Sequence, residues 1–236
     1  MFNYGHKAPY RLTVNKVKDE AGDDYSGSRK LKLNKNASGS FQADADTDFY
    51  SVKTGAGRAY WLAIKNRSAN TSLRITVYAR KDDESSKVQN VSYRYISSGT
   101  KEDIKLKLAK KHVYYIKLTG SANGGYTVGL NQSSKTIKKD APKGFKVNSY
   151  SYYSHTTLYY QNNLRYDGIE IWRSTRSGGG YKRIKVVPMS SSSGYYYDYG
   201  LPKRRKCYYK VRYYVNDGGK KKYGKWSKVK SGYRRY

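Results

Sequence analysis

Few residues of this 236-residue chain have the types and spacing that a reaction needs. The histidines are His6, His112 and His155, each in a polar stretch away from any nucleophile motif. No Gly-x-Ser-x-Gly elbow offers a serine, and no His-Glu-x-x-His pair offers metal ligands on a helix. All three read as solvated surface histidines. The single cysteine, Cys207, excludes an internal disulfide framework and a multi-cysteine metal site. Counted in twos, it shares a strand face with Tyr209, Val211 and Tyr213. A reactive thiol needs exposure beside cations. Lys206 is adjacent but points to the opposite face, so Cys207 reads as a small hydrophobe.

Two further motifs fall short of their chemistry. The run from Gly219 through Lys220, Lys221 and Lys222 to Gly224-Lys225 begins like a phosphate loop. Trp226 then stands where Ser or Thr must hold Mg²⁺, and no helix follows. What remains is a Lys-rich hairpin tip. Asp44, Asp46 and Asp48 have the spacing that opens a calcium loop, but Phe49 and Gly55 occupy the places for its Gly and Glu. On a strand these three carboxylates share one face and repel unless cations sit among them. Structural calcium is one reading; an acidic strand edge answering nearby Lys is the other.

The binding signal is electrostatic. Lys plus Arg number 48 and Asp plus Glu 17, a formal charge of +31. Such an excess attracts polyanions: nucleic acid, teichoic acid, acidic or sulfated polysaccharide, or an anionic membrane. After residue 140 the only carboxylates are Asp167, Glu170, Asp198 and Asp217. The densest basic clusters are Lys203, Arg204, Arg205 and Lys206, then Lys220, Lys221 and Lys222, then Arg234 and Arg235. Tyrosine is the other anomaly, with 29 against 4 Phe and 3 Trp. Tyr suits half-buried strands, where the ring packs and the hydroxyl stays wet. Tyr195, Tyr196 and Tyr197, with Tyr152 and Tyr153, add aromatic surface beside the cations. Interleaved Tyr and Lys stack on rings and pair with phosphate or sulfate. The competing reading is charge for solubility alone.

The elements that must position these groups are strands. Alternation of period two runs through residues 60–65, 73–80, 91–96, 104–108, 113–118 and 126–130, and turn-forming clusters separate the runs. The clean alternation of Asp103-Ile104-Lys105-Leu106-Lys107-Leu108 makes that segment a strand rather than a helix. No run of about 18 apolar residues exists to span a membrane. The first residues lack the apolar core of a signal peptide, so such a segment was removed or the chain is a fragment.

Residues 141–236 resemble the fibronectin type III-like modules of bacterial surface proteins. The likeness rests on Gly168-Ile169-Glu170-Ile171-Trp172-Arg173-Ser174, Tyr197-Asp198-Tyr199-Gly200-Leu201, Tyr208-Tyr209-Lys210-Val211-Arg212 and Tyr223-Gly224-Lys225-Trp226-Ser227. The chain departs from that pattern at Tyr160, Cys207 and Tyr213. The resemblance puts Cys207 on the buried face and the two basic clusters at opposite ends of a late strand. The earlier part resembles the bacterial pre-peptidase C-terminal domain, through Asp46-Thr47-Asp48-Phe49-Tyr50-Ser51-Val52, Leu73 to Tyr78, Val113 to Leu118 and Gly124 to Leu130. That resemblance implies a share in any calcium binding for Asp19, Glu20, Asp23 and Asp24. Tyr10-Arg11-Leu12-Thr13-Val14-Asn15 echoes Tyr126 to Asn131, which suggests the tail of a preceding copy.

The expected fold is all-β: two β-sandwich domains in tandem, the first jelly-roll-like and the second fibronectin type III-like. The expected divisions are a tail or donor strand at 1–15, a sandwich at 16–132, a linker with little to bury at 133–140, and a sandwich at 141–236. The expected role is non-enzymatic: display at an extracellular or cell-surface location in bacteria, with adhesion to an anionic polysaccharide or cell-wall polymer. Alternatives are self-assembly of copies through strand addition and accessory domains of a larger secreted peptidase. Nucleic acid is a weaker partner, because no nucleic-acid fold signature appears.

Overall fold

In the computed structural model, residues 21–149, 154–189 and 194–233 are described. The expected all-β class holds, with 49% strand and 6% helix. The tail strand at 1–15, Asp19, Glu20, His6, Tyr152, Tyr153, Arg234 and Arg235 lie outside the described residues.

Among the described residues, four sheets pair into two sandwiches. In the first, one sheet has the order β1 (Arg29–Lys30), β3 (Asp46–Lys53), β8 (Val113–Gly120), β5 (Leu73–Tyr78), β6 (Arg94–Ile96). The facing sheet runs β2 (Ala37–Ser40), β9 (Gly125–Gln132), β4 (Ala59–Asn66), β7 (Lys101–Lys107). Among the described residues only β1 and β3 pair in parallel. Alternate side chains fill the space between: Tyr50 and Val52, Ile104 and Leu106, Ile116 and Leu118, Val128 and Leu130. Tyrosine enters this core because the hydroxyls of Tyr50, Tyr60, Tyr114 and Tyr126 each have a partner. The Tyr126 hydroxyl donates to Asp48 at 2.6 Å and meets the Tyr50 hydroxyl at 2.9 Å.

The second sandwich sets β10 (Lys146–Ser149), β11 (Thr156–Tyr159) and β14 (Tyr195–Asp198) against β13 (Lys182–Pro188), β12 (Gly168–Ser174), β15 (Lys206–Asp217) and β16 (Lys220–Tyr223). The last strand is broken. β16 pairs with residues 214–217 of β15, and β17 (Lys230–Tyr233) pairs with residues 206–209. Across the break, Ser227 replaces ladder partners. Its N–H donates to the Val211 carbonyl at 2.8 Å, and its Oγ accepts the Val211 N–H at 3.0 Å. Cys207, Tyr209, Val211, Tyr213 and Val215 all face the core, as the count in twos requires.

Residues 133–140 differ from the linker expected of them. They form a short helix, α1 (Ser133–Thr136), and a 3-10 turn over Ile137–Lys139, and Ile137 is buried in the second core. One apolar side chain in a polar run is enough to dock the segment. The sandwiches meet across it. Trp61 on β4 donates its indole N–H to Thr136 at 3.3 Å. Arg165 lies over the Trp61 ring at 4.3 Å while donating to Asp103 on β7. Lys105 on β7 pairs with Asp167. Gly224 is required here, because a Cβ at that position would stand 2.6 Å from the Asp140 carbonyl oxygen.

Candidate binding surfaces

Lys203, Arg204 and Arg205 occupy the turn that delivers the chain into β15, and Lys206 opens that strand; all four are exposed. Arg204 holds a positive φ of 53°, which fixes the sharpness of the turn. Lys206 sits 5.7 Å from the Tyr208 ring centre. Lys220, Lys221 and Lys222 lie beside the far end of β15 on strand β16, while Gly218 and Gly219 form the tip expected of the lysines. Lys221 lies over Tyr214 at 4.5 Å. β15 has 12 residues. At about 3.4 Å per residue its ends stand roughly 35 Å apart. The two clusters are therefore separate patches.

The tyrosines divide by strand parity. Tyr195 and Tyr197 on β14 face solvent, and Tyr199 continues the row just beyond the strand. Ring centres stand 5.2 Å apart for Tyr195 and Tyr197 and 6.3 Å for Tyr197 and Tyr199. His155 closes on this row, 4.6 Å from Tyr197 and 5.0 Å from Tyr199. Tyr159 pairs with Tyr195 in register and is also exposed. Tyr196, expected on the surface, instead packs inward against the second core, and burial raises its hydroxyl pKa. The outward row is thus Tyr195, Tyr197 and Tyr199.

A ladder that sequence reasoning missed covers the outer face of the larger sheet of the second sandwich. Tyr181, Lys210, Trp226, Arg212 and Tyr223 alternate ring and cation. Lys210 lies 4.4 Å from Tyr181 and 4.3 Å from Trp226, and Arg212 lies 4.4 Å from Trp226 and 3.7 Å from Tyr223. Trp172 meets Trp226 edge-on at 5.5 Å. Beneath them the buried Glu170 accepts from Arg212 at 2.9 and 3.1 Å, from Arg183 at 3.1 Å and from Trp172 at 3.2 Å. Burial works to raise the Glu170 carboxyl, and these donors overcome it and hold the pKa below the ordinary value. Arg212 is therefore committed to the fold. The signal in the sequence was the outward parity of Lys210 and Arg212 opposite Trp172.

The acidic triplet does not converge. Asp44 precedes β3 and accepts the Ala122 N–H at 3.0 Å. Asp46 accepts the N–H groups of Gln42 and Thr47, both at 2.7 Å. Asp48 points into the core toward Tyr126. A positive φ at Ala45 turns the chain between the first two, so the single strand face expected of the three does not form. Among the described residues, no group of three His, Cys, Asp or Glu stands close enough to hold a metal ion. Asp24 closes its own turn on Ser26 and Gly27.

The remaining reactive types are also placed. His112 is half-buried rather than solvated, bonded to the Ala79 carbonyl and packed on Tyr114. His155 is half-buried among the tyrosines described above. Cys207 is fully buried, and burial raises its thiol pKa. Tyr160 and Tyr213, two departures from the fibronectin-like pattern, are both buried; the Tyr213 hydroxyl donates to the Gln161 carbonyl at 2.8 Å. Among the described residues no helix is long and apolar enough to cross a membrane.

No protein-family model matches the chain, and no curated protein matches it. Among solved structures the chain is similar to the pre-peptidase C-terminal domain of a collagenase from Bacillus anthracis. Identity is 17% over 49% of this chain and 99% of that one, with a TM-score of 0.35. It is similar to the FN1-FN3 domains of chicken CNTN1 at 12% identity, over 78% of this chain and 62% of that one, with a TM-score of 0.36. A third is a β-1,2-glucanase from Parabacteroides distasonis, at 15% identity over 83% of this chain and 32% of that one, with a TM-score of 0.32. The chain thus spans about a third of the glucanase and under two thirds of the CNTN1 fragment.

Proposed function

We propose that the chain is a non-catalytic display and adhesion module of a secreted or surface-attached bacterial protein, and that it adheres to an anionic polysaccharide or cell-wall polymer. One observation carries this reading: every carboxylate side chain after residue 140 is engaged inside the fold. Asp167 pairs with Lys105, Glu170 with Arg183 and Arg212, and Asp198 with Arg173, while Asp217 accepts the N–H groups of Arg58 and Ala59. Lys203, Arg204, Arg205 and Lys206, with Lys220, Lys221 and Lys222, take part in none of the ion pairs among the described residues. Their charge is left to solvent and to a partner. It supplies long-range attraction, and the outward row of Tyr195, Tyr197 and Tyr199 supplies short-range contact with sugar rings.

The test is chromatography of the full chain on immobilised heparin and on wall teichoic acid under a salt gradient. Retention at low salt that is released before about 1 M salt supports the reading, since screening shortens to roughly 3 Å there. Absence of retention on every polyanion, or retention indifferent to salt, overturns it.

A further inference from the structure

Beside the junction of the two sandwiches a groove of about 1170 Å³ opens between residues 139–146, residues 161–165 and residues 226–230. Five lysines line it: Lys139, Lys143, Lys146, Lys228 and Lys230. All five are exposed, and none belongs to an ion pair among the described residues. The two carboxylates on its walls are each engaged by the protein, Asp103 through one oxygen while its other is buried without a hydrogen-bond partner. Arg165 donates to Asp103 at 2.9 and 2.7 Å, and the Tyr166 hydroxyl donates to Asp140. Arg165 offsets Asp103, and the five lysines outnumber the one remaining carboxylate, Asp140, so the groove presents a surplus of ammonium groups.

The other lining residues narrow the ligand. Gln161, Asn162 and Asn163 bring side-chain amides, which donate and accept hydrogen bonds and suit neutral hydroxyls. Trp226, its ring already flanked by Lys210 and Arg212, lines the same groove. A ligand that matches the lysines and the amides carries anionic groups and hydroxyls. Single-stranded nucleic acid is held instead by several exposed rings on which successive bases stack; of the three aromatic residues that line this groove, Phe145 and Tyr213 are buried in the second core and Trp226 is half-buried. The volume also exceeds the range of about 300–1,000 Å³ usual for small-molecule sites, which favours a segment of a polymer over a single metabolite.

We infer that this groove is a binding site for a short segment of acidic polysaccharide, with the lysines pairing its carboxylate or sulfate groups and Gln161, Asn162 and Asn163 bonding its hydroxyls. This rests on the proposed adhesion to anionic glycans and assigns it a site away from the β15 clusters. Local capture in a groove differs from field attraction at loop tips in one testable respect. A field depends on how many charges are removed, whereas a site depends on which ones.

The experiment compares two full-length variants that lose the same four charges. One carries Lys143→Gln, Lys146→Gln, Lys228→Gln and Lys230→Gln; the other carries Lys203→Gln, Arg204→Gln, Arg205→Gln and Lys206→Gln. Each is titrated with a heparin-derived hexasaccharide by calorimetry and by intrinsic tryptophan fluorescence, after circular dichroism shows native strand content. The expected result is a loss of at least tenfold in hexasaccharide affinity for the groove variant, a loss under threefold for the other, and a fluorescence change in wild type that the groove variant lacks. Equal losses for the two variants, or a single-stranded oligonucleotide of matched charge binding more tightly than the hexasaccharide, overturn the groove. A second variant, Asn162→Asp, keeps the inference exposed if the fourfold groove variant does not fold; unchanged hexasaccharide affinity there also overturns it. A wild-type chain that holds long heparin but not the hexasaccharide sinks the groove and leaves the adhesion reading standing. A chain that holds neither sinks both.

Discussion

Asp217, the last residue of β15, accepts the backbone N–H of Ala59, the first residue of β4, at 3.1 Å. The same oxygen also accepts the N–H of Arg58. One carboxylate of the second sandwich thus caps the start of a central strand in the first. Ala59 itself packs into the second core. The two sandwiches are joined by a chemical contact as well as by chain.

That contact predicts coupled unfolding. Burial works to raise the Asp217 carboxyl, and the donated N–H groups reverse it, so the pKa lies below the ordinary value. A depressed folded pKa contributes stability that is present above the unfolded pKa of about 4 and is lost as pH falls through the folded one. Asp217→Ala is expected to cost about 1.5–3 kcal/mol at neutral pH, the range for hydrogen bonds to a charged group. Urea unfolding should then split into two transitions where wild type shows one. A single unshifted transition in the variant would show that the junction carries no coupling.

Cys207 offers a local probe of the second sandwich. It has no exposed surface, and burial raises its pKa. A thiol that is neither exposed nor ionised does not react with a disulfide reagent. Labelling in native buffer is expected to be slower than labelling of the urea-unfolded chain by at least a hundredfold, and to track unfolding of the second core. Rapid stoichiometric labelling of the native chain would contradict the inward placement of β15.

Glu170 predicts an acid-sensitive face. Its carboxylate is fully buried beneath the ladder, between Arg212 and Arg183. The depressed pKa means that this pairing stabilises above the unfolded value of about 4.3 and is lost in acid. Glu170→Gln removes the charge and leaves Arg212 without it, at an expected cost of about 3 kcal/mol near neutral pH. The deficit relative to wild type should shrink as both are taken below pH 4, because wild type then loses the same charge. A deficit that stays constant with pH would assign the effect to packing alone.

These positions show how far the sequence could be read. β4, β5, β7, β8 and β9 were legible because alternating apolar residues face a single core. Cys207 was legible for the same reason. Tyr196 was not, because neighbouring tyrosines look alike and the parity of β14 is set by Asp198. That carboxylate is buried to receive Arg173 and the Tyr209 hydroxyl, at 2.8 and 2.9 Å. Hydropathy reads such an aspartate as surface, and Asp48 misleads in the same way. Ile137 hid in a polar run. The outward parity of Lys210 and Arg212 was readable along β15, but the ladder they form with Trp226, like the groove, was not, because β12, β15 and residues 226–230 meet only after the sandwich closes.

The outward tyrosines should act separately from the charges. Tyr197 is 41% exposed and holds the middle of the row between Tyr195 and Tyr199. Stacking on a sugar ring is short-ranged and does not displace counterions. Neutralising Lys203, Arg204 and Arg205 removes charges that do, and so flattens the dependence of log affinity on log salt. Tyr197→Ser should therefore lower long-chain heparin affinity by about three- to tenfold at every salt concentration, in line with roughly 1 kcal/mol for an aromatic contact, and leave the salt slope unchanged. Affinities measured from 50 to 400 mM NaCl separate the two. A Tyr197→Ser line that converges on wild type as salt rises would mean that the row contributes only through the charges around it.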